Sequence, residues 1–170
     1  KYFRYPQGIE HTTKSVIKRA GQSLLQVVYG PATELIQLNR KWRKSPDDGF
    51  SIDKRTGKWL REKDKENAEV LENAIDVMIF ARDTADTLYI QPLENLDVSP
   101  EELISLSYAL KRGIEVLFQV EESEIGVEIT GNPESPNILI FESSQGSLGI
   151  LSQLASEPPK LKELFKVAYA

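Results

Sequence analysis

The sequence predicts a mixed α+β domain: an antiparallel sheet or meander packed with one long amphipathic helix and short C-terminal helices. Three observations carry this. Residues 97–120 hold apolar positions at helical spacing behind a Ser-Pro start signal. Residues 33–60 contain strand-like runs cut by the turn sequences DDG and KRTG. Residues 124–131 and 137–141 are two further strand-like runs separated by NPESP. The order is helix, meander, two strands, long helix, two strands, two helices. Regular strand–helix alternation, the mark of a parallel sheet, is absent.

The elements follow in chain order. Residues 12–29 place Val16, Ile17, Ala20, Leu24, Val27 and Val28 on one helical face. Thr12 or Thr13 is available as a cap, and Gly30-Pro31 stops the helix. Residues 33–43 read as a strand, DDG (47–49) as a turn, FSID (50–53) as a strand, KRTG (54–57) as a turn, and KWL (58–60) as the returning strand. Residues 61–73 are strongly charged, and Ala68 and Leu71 hint at a helix. AIDVMIFA (74–81) suits a buried strand, RDTADT (82–87) a turn, and LYIQPL (88–93) a strand.

In the long helix Ser99 caps, Pro100 takes the first position, and Glu101 and Glu102 favour the positive end of the dipole. Leu103, Leu106, Leu110, Ile114, Leu117 and Phe118 form its stripe. Gly113 lies inside it at a cost of about 1 kcal/mol relative to Ala, so a neighbour is expected to approach closely there. Residues 124–131 and 137–141 form an antiparallel pair, and the closing helices fall near 147–156 and 159–169.

The composition excludes several chemistries. The chain has 170 residues, no Cys and one His. Disulfides, thiolate metal sites and cysteine nucleophiles are therefore absent. His11 reads as a surface or helix-start residue. No apolar run reaches the ~18 residues of a membrane span, and no secretory leader is visible at the start; a cytoplasmic location is expected. The net charge is −5, yet residues 40–65 carry ten Lys/Arg against five Asp/Glu, a local +5 within a remainder of −10.

Three patterns invite a functional reading. The first is the strand–turn–helix at ILIFESSQGSLG, with Gly146, Ser147 and Gly149 as its turn. A phosphate loop of the Walker type closes on Lys-Ser or Lys-Thr, which this turn lacks. Gly146 then supplies an unusual backbone angle, and Ser147 caps the helix. The second is the basic stretch: Arg40, Lys41, Trp42, Arg43 and Lys44, then Lys54, Arg55, Lys58 and Trp59, on neighbouring strands of the meander. The cations suit phosphates and the tryptophans suit base stacking. The same residues also suit a solvated hairpin with core tryptophans. The third is the carboxylates Asp83, Asp86 and Glu142, an acid–base pair or, more simply, solvated and capping groups. No nucleophile–base–orienter set is present, so the chain is read as no enzyme in itself.

The stretches LSYALKRGIEVLFQVEESEIGVEI and ILIFESSQGSLGILSQLA resemble the C-terminal domain of unknown function of DEAD/DEAH-box (superfamily 2) helicases and related DNA-repair and phage-defence proteins. In that family a long helix runs into an acidic turn and a strand, then a second strand, an aromatic-acidic pair, a glycine-rich turn and a helix. Here these are Leu106 to Phe118, Glu121 to Ile129, Ile138 to Glu142, and Gly146 to Leu154. DDGFSIDKRTGKWL is also similar, with Gly49, Phe50, Asp53, Gly57 and Trp59 at matching places. The family's turn carries adjacent glycines, where this chain has Gly146-Ser147. Related repair helicases carry a four-cysteine zinc module, which this chain lacks and which in the family lies beyond the last helix.

The resemblance implies a single accessory domain over 1–170, excised from a longer chain. Residues 1–93 form the helix, basic meander and strands, and residues 97–170 the long helix, strand pair and C-terminal helices. It implies no cofactor within these residues, ATP and Mg on a motor elsewhere in the parent protein, and zinc beyond residue 170. The partners expected are the rest of the parent helicase chain, docked on the apolar surface of the last helices, and DNA on the basic meander. No membrane partner is expected. The other reading is a protein–protein interaction module that does not touch nucleic acid.

Overall fold

The computed structural model describes residues 2–41, 49–61, 63–64, 72–94, 96–143 and 146–169. Trp42, Arg43 and Lys44, and the helix hinted at by Ala68 and Leu71, lie outside these residues. The described chain forms two compact units, one of residues 3–35 with 83–170, the other of residues 36–82 with Tyr2. No described helix is long and apolar enough to cross a membrane. The architecture is α+β with antiparallel sheets, as the sequence predicts.

The larger unit is built on a six-stranded sheet. The strands of this sheet are β1 (Tyr2–Arg4), β2 (Thr13–Arg19), β3 (Gln22–Asn39), β7 (Ile79–Pro92), β8 (Ile125–Asn132) and β9 (Ser135–Glu142), with Tyr2, residues 36–39 and residues 79–82 assigned to the smaller unit. The order is β1-β3-β7-β9-β8, with β2 also paired to β3. Helices α1 (Pro100–Phe118), α2 (Ile150–Ser156) and α3 (Pro158–Tyr169) complete the unit. Leu25 and Val27 of β3, Leu88 and Ile90 of β7, and Ile138 and Ile140 of β9 join Leu103, Leu110, Ile114, Leu151, Leu154, Leu161 and Leu164 of the helices in one core.

The helix expected over residues 12–29 is instead the β2–β3 hairpin, with Arg19 opposite Gln22 and only Ala20-Gly21 between them. Both turn residues have positive φ, 50° and 84°, the signature of the type I′ turn that matches strand twist. The run of Val, Thr, Ile and Tyr favours strand, because branched and aromatic side chains fit a pleated surface. A β-bulge between Ile17 and Lys18 shifts the register. That shift breaks the alternation and makes the pattern imitate helical spacing. Gly30-Pro31 ends nothing, since β3 runs through it to Asn39.

The turn expected at 82–87 is likewise strand. Buried Thr87 meets Thr33 at 2.8 Å, hydroxyl to hydroxyl, and Asp86 receives donors from β3. Cross-strand bonds satisfy polar side chains that composition alone assigns to a loop. The run 74–81 is not one buried strand. β6 (Ala74–Val77) ends before Met78, and Ile75, Met78, Ile79 and Phe80 are exposed.

Helix α1 follows its signals. Ser99 Oγ accepts from the Glu102 amide at 3.2 Å, and Glu102 Oε2 accepts from the Ser99 amide at 2.9 Å. This is a complete capping box, and the bond from the Ser99 amide holds the Glu102 carboxyl below its ordinary pKa. A Cβ built on Gly113 would lie 2.9 Å from Leu164 Cδ1, so the close neighbour expected there is α3. Strands β8 and β9 pair antiparallel over their whole length, from Ile125↔Glu142 to Asn132↔Ser135.

The smaller unit contains a three-stranded antiparallel sheet in the order β5-β4-β6, with β4 spanning Phe50–Asp53 and β5 Trp59–Leu60. The FSID–KRTG–KWL part of the expected meander is present as the β4–β5 hairpin, whereas residues 33–39, expected as its first strand, belong to β3 of the six-stranded sheet, and β6 takes the other side of β4.

Candidate nucleic-acid interface

The basic hairpin is set by its turn. Asp53 Oδ1 accepts from the amides of Arg55 at 2.8 Å and Thr56 at 3.1 Å. The Gly57 amide donates to the Asp53 carbonyl at 2.7 Å, and Gly57 takes φ 69°, which only glycine adopts freely. The hydrogen bond from the Arg55 amide, with that from the Thr56 amide, holds the Asp53 carboxyl below its ordinary value. Asp53 is thus committed to the turn, and Lys54, Arg55 and Lys58 stand exposed around it.

Residues opposite one another in an antiparallel pair share a face. Ile52 lies opposite both Trp59 and Ile75, and Phe50 opposite Val77. One face of the small sheet therefore carries Phe50, Ile52, Trp59, Ile75 and Val77. Trp59 is 50% exposed and meets Phe50 edge-on at 6.0 Å, whereas Phe50 is buried. The opposite face carries Ser51, whose hydroxyl donates to Asp76 at 2.6 Å, and buried Leu60.

Arg40 and Lys41 are exposed. The Gly49 amide donates to the Arg40 carbonyl, and Lys41 bridges Gly49. These two cations stand at one end of β4 and Lys54, Arg55 and Lys58 at the other, roughly 10–13 Å along the strand at about 3.3 Å per residue. The structure brings these five cations and Trp59 to one small sheet.

The glycine turn carries a different arrangement. Gly146 and Gly149 have φ 91° and 72°. The N-cap of α2 is Gly149, not Ser147, so the cap has no side chain to offer. Glu142 of β9 supplies the missing acceptor. Its carboxylate, 2% exposed, accepts from the Leu151 amide at 2.8 Å, the Gly149 amide at 3.1 Å and Ser147 Oγ at 2.7 Å. The anion at these amides is the chain's own.

Ser147 Oγ also lies 2.9 Å from Asp86 Oδ2. Its single proton serves one carboxylate at a time. Asp86 further accepts from Tyr29 Oη and the Ala32 amide, both at 2.9 Å. Burial, and then the bond to Asp86, pushes the Tyr29 phenol up to about 12. Asp83, the third carboxylate, accepts from the Thr84 amide at 2.8 Å. Asp86 thus joins β7 to β3 and to Ser147, and Glu142 joins β9 to α2. Reading the sequence singled out Asp86 and Glu142 but not their connection. The available signal was an acid closing an apolar strand just ahead of a glycine-capped helix.

The apolar faces of α2 and α3, expected to dock a partner, are turned inward: Leu151, Leu154, Leu161 and Leu164 are core residues. The apolar residues left exposed on α1 are Ile104, Tyr108 and Val116.

No curated protein matches the chain. The crystal structure of the DUF1998 helicase MrfA bound to DNA aligns at 10% identity and a TM-score of 0.47, over 89% of this chain and 19% of that chain. That TM-score is too low to establish a common fold. This chain thus spans under a fifth of that protein's length. The MZB family, described as the MrfA Zn-binding domain, matches residues 106–170. The residues present there do not fit zinc. Residues 106–170 contain no Cys, His or Asp, and no three candidate ligands cluster among the described residues. The segment running from α1 through β8, β9 and α2 to α3 is therefore similar to the MrfA Zn-binding domain and lacks a zinc donor set.

Proposed function

We propose that this chain is a non-catalytic accessory part of a DEAD/DEAH-box helicase-like protein, carried within a longer cytoplasmic chain whose motor binds ATP and magnesium. The observation that carries the reading is the match of residues 106–170 to the MrfA Zn-binding family. In this role the larger unit docks on the motor, and the basic hairpin steers DNA. Support for the DNA contact comes from Trp59, half-exposed on a sheet whose hairpin tip presents Lys54, Arg55 and Lys58. A tryptophan in that setting offers a stacking face beside phosphate-binding charge.

The reading is tested by fluorescence anisotropy of labelled single- and double-stranded DNA across a salt series. Binding that weakens steeply with salt, and is lost on charge reversal at Lys54, Arg55 and Lys58, supports steering. No binding at low salt removes the DNA role. It would leave the second reading, a protein–protein module, which Ile104, Tyr108 and Val116 on the outer side of α1 favour.

A further inference from the structure

We propose that residues 106–170 fold and remain folded without zinc, with the Glu142 carboxylate making the closure that ties this segment together. The proposal stands whether or not the basic hairpin binds DNA.

A structural zinc is held by four Cys or His ligands, occasionally with carboxylate. Carboxylate-only sets suit harder ions. Glutamate is the one acidic residue type in 106–170, and Cys and His are missing from it entirely. Its two buried glutamates are already committed. Glu115 Oε2 receives Arg112 Nη1 at 2.9 Å. Glu142 receives the Leu151 and Gly149 amides and the Ser147 hydroxyl. The described residues bring no group of three potential ligands together.

What a metal does in a small domain is to join segments distant along the chain. Two contacts do that here. Glu142 ties the end of β9 to the first turn of α2, across nine residues, at 2.8 Å from the Leu151 amide. Gly113 lets α3 sit directly on α1, so that Leu164 is fully buried. A charged acceptor on buried amides is among the stronger hydrogen bonds a fold makes. Neither contact requires an ion.

The test uses the 170-residue chain as it stands. Zinc content is measured by elemental analysis, and thermal unfolding is followed by circular dichroism with and without a zinc chelator. The expected result is zinc far below one per chain and a melting temperature that the chelator leaves unchanged. Glu142→Ala is expected to lower the melting temperature by roughly 5–10 °C, with or without chelator. Glu142→Gln, which keeps an acceptor, is expected to lose less. Stoichiometric zinc together with a melting temperature that falls on chelation overturns the proposal. So does a Glu142→Ala variant as stable as the parent chain.

Discussion

Glu142 accepts a hydrogen bond from the backbone amide of Leu151 at 2.8 Å, and both residues are buried. A strand-end carboxylate thereby caps a helix whose own N-cap, Gly149, has no side chain. Removing the acceptor leaves a buried amide unpaired. Glu142→Ala is expected to cost about 2–4 kcal/mol, measured by urea unfolding. Ser147→Ala, at an exposed position, is expected to cost about 1 kcal/mol or less.

The contact of Gly113 with Leu164 predicts a steric limit. A Cβ at Gly113 would stand 2.9 Å from Leu164 Cδ1, and Leu164 is fully buried. Gly113→Ala gains about 1 kcal/mol of helix propensity and loses about 1–3 kcal/mol to overpacking. The net expectation is a loss near 1 kcal/mol. Gly113→Val adds bulk without comparable propensity and is expected to lose more. Denaturant midpoints of the two variants decide the ranking; a stabilised Gly113→Val would contradict the close packing of α1 on α3.

Alkaline pH should reveal the partly buried tyrosines of the larger unit. Burial raises Tyr5 and Tyr29 from 10.0 to about 12, and Tyr89 is also raised by burial. Folding thus favours the protonated phenols. Their contribution is whole below pH 10 and is lost as pH rises from 10 through 12. Tyrosinate absorbance should show a late phase near pH 12. Tyr29→Phe should remove part of that late phase.

Ala20 occupies the first positive-φ position of a type I′ turn, with φ 50°. Asn or Gly tolerates this conformation better than Ala. Ala20→Gly or Ala20→Asn is expected to stabilise the chain by about 0.5–1 kcal/mol, read from thermal unfolding. A loss of that size would place the hairpin turn elsewhere.

For the proposed DNA contact, charge and stacking separate cleanly. Reversing Lys54, Arg55 and Lys58 should lower the slope of log affinity against log salt by about 2–3. Trp59→Ala should cost about 1–3 kcal/mol on single strands while leaving that slope nearly unchanged. Equal binding by all variants would move any DNA contact off this hairpin.

Much of the fold was legible in local chemistry. The Ser99–Glu102 box, Pro100 and the leucine stripe specify α1 because capping and amphipathicity are satisfied within a few residues. The turns at KRTG and NPESP specify their hairpins for the same reason. The 12–29 segment was not legible: a bulge at Ile17–Lys18 and an Ala-Gly turn disguise a hairpin as a helix. RDTADT reads as a turn because the partners of Asp86 and Thr87 are more than fifty residues away on β3.

The sequence by itself determined the α+β class, the long capped helix, the C-terminal strand pair, the basic hairpin and the absence of any cysteine ligand. Each of these is a property of composition or of neighbours along the chain. Only the tertiary structure decided that the glycine turn is occupied by Glu142, that Trp59 is half-exposed while Phe50 is buried, and that α3 rests on Gly113. Those outcomes depend on which distant groups meet, and backbone spacing carries no record of a hydrogen-bond acceptor arriving from another strand.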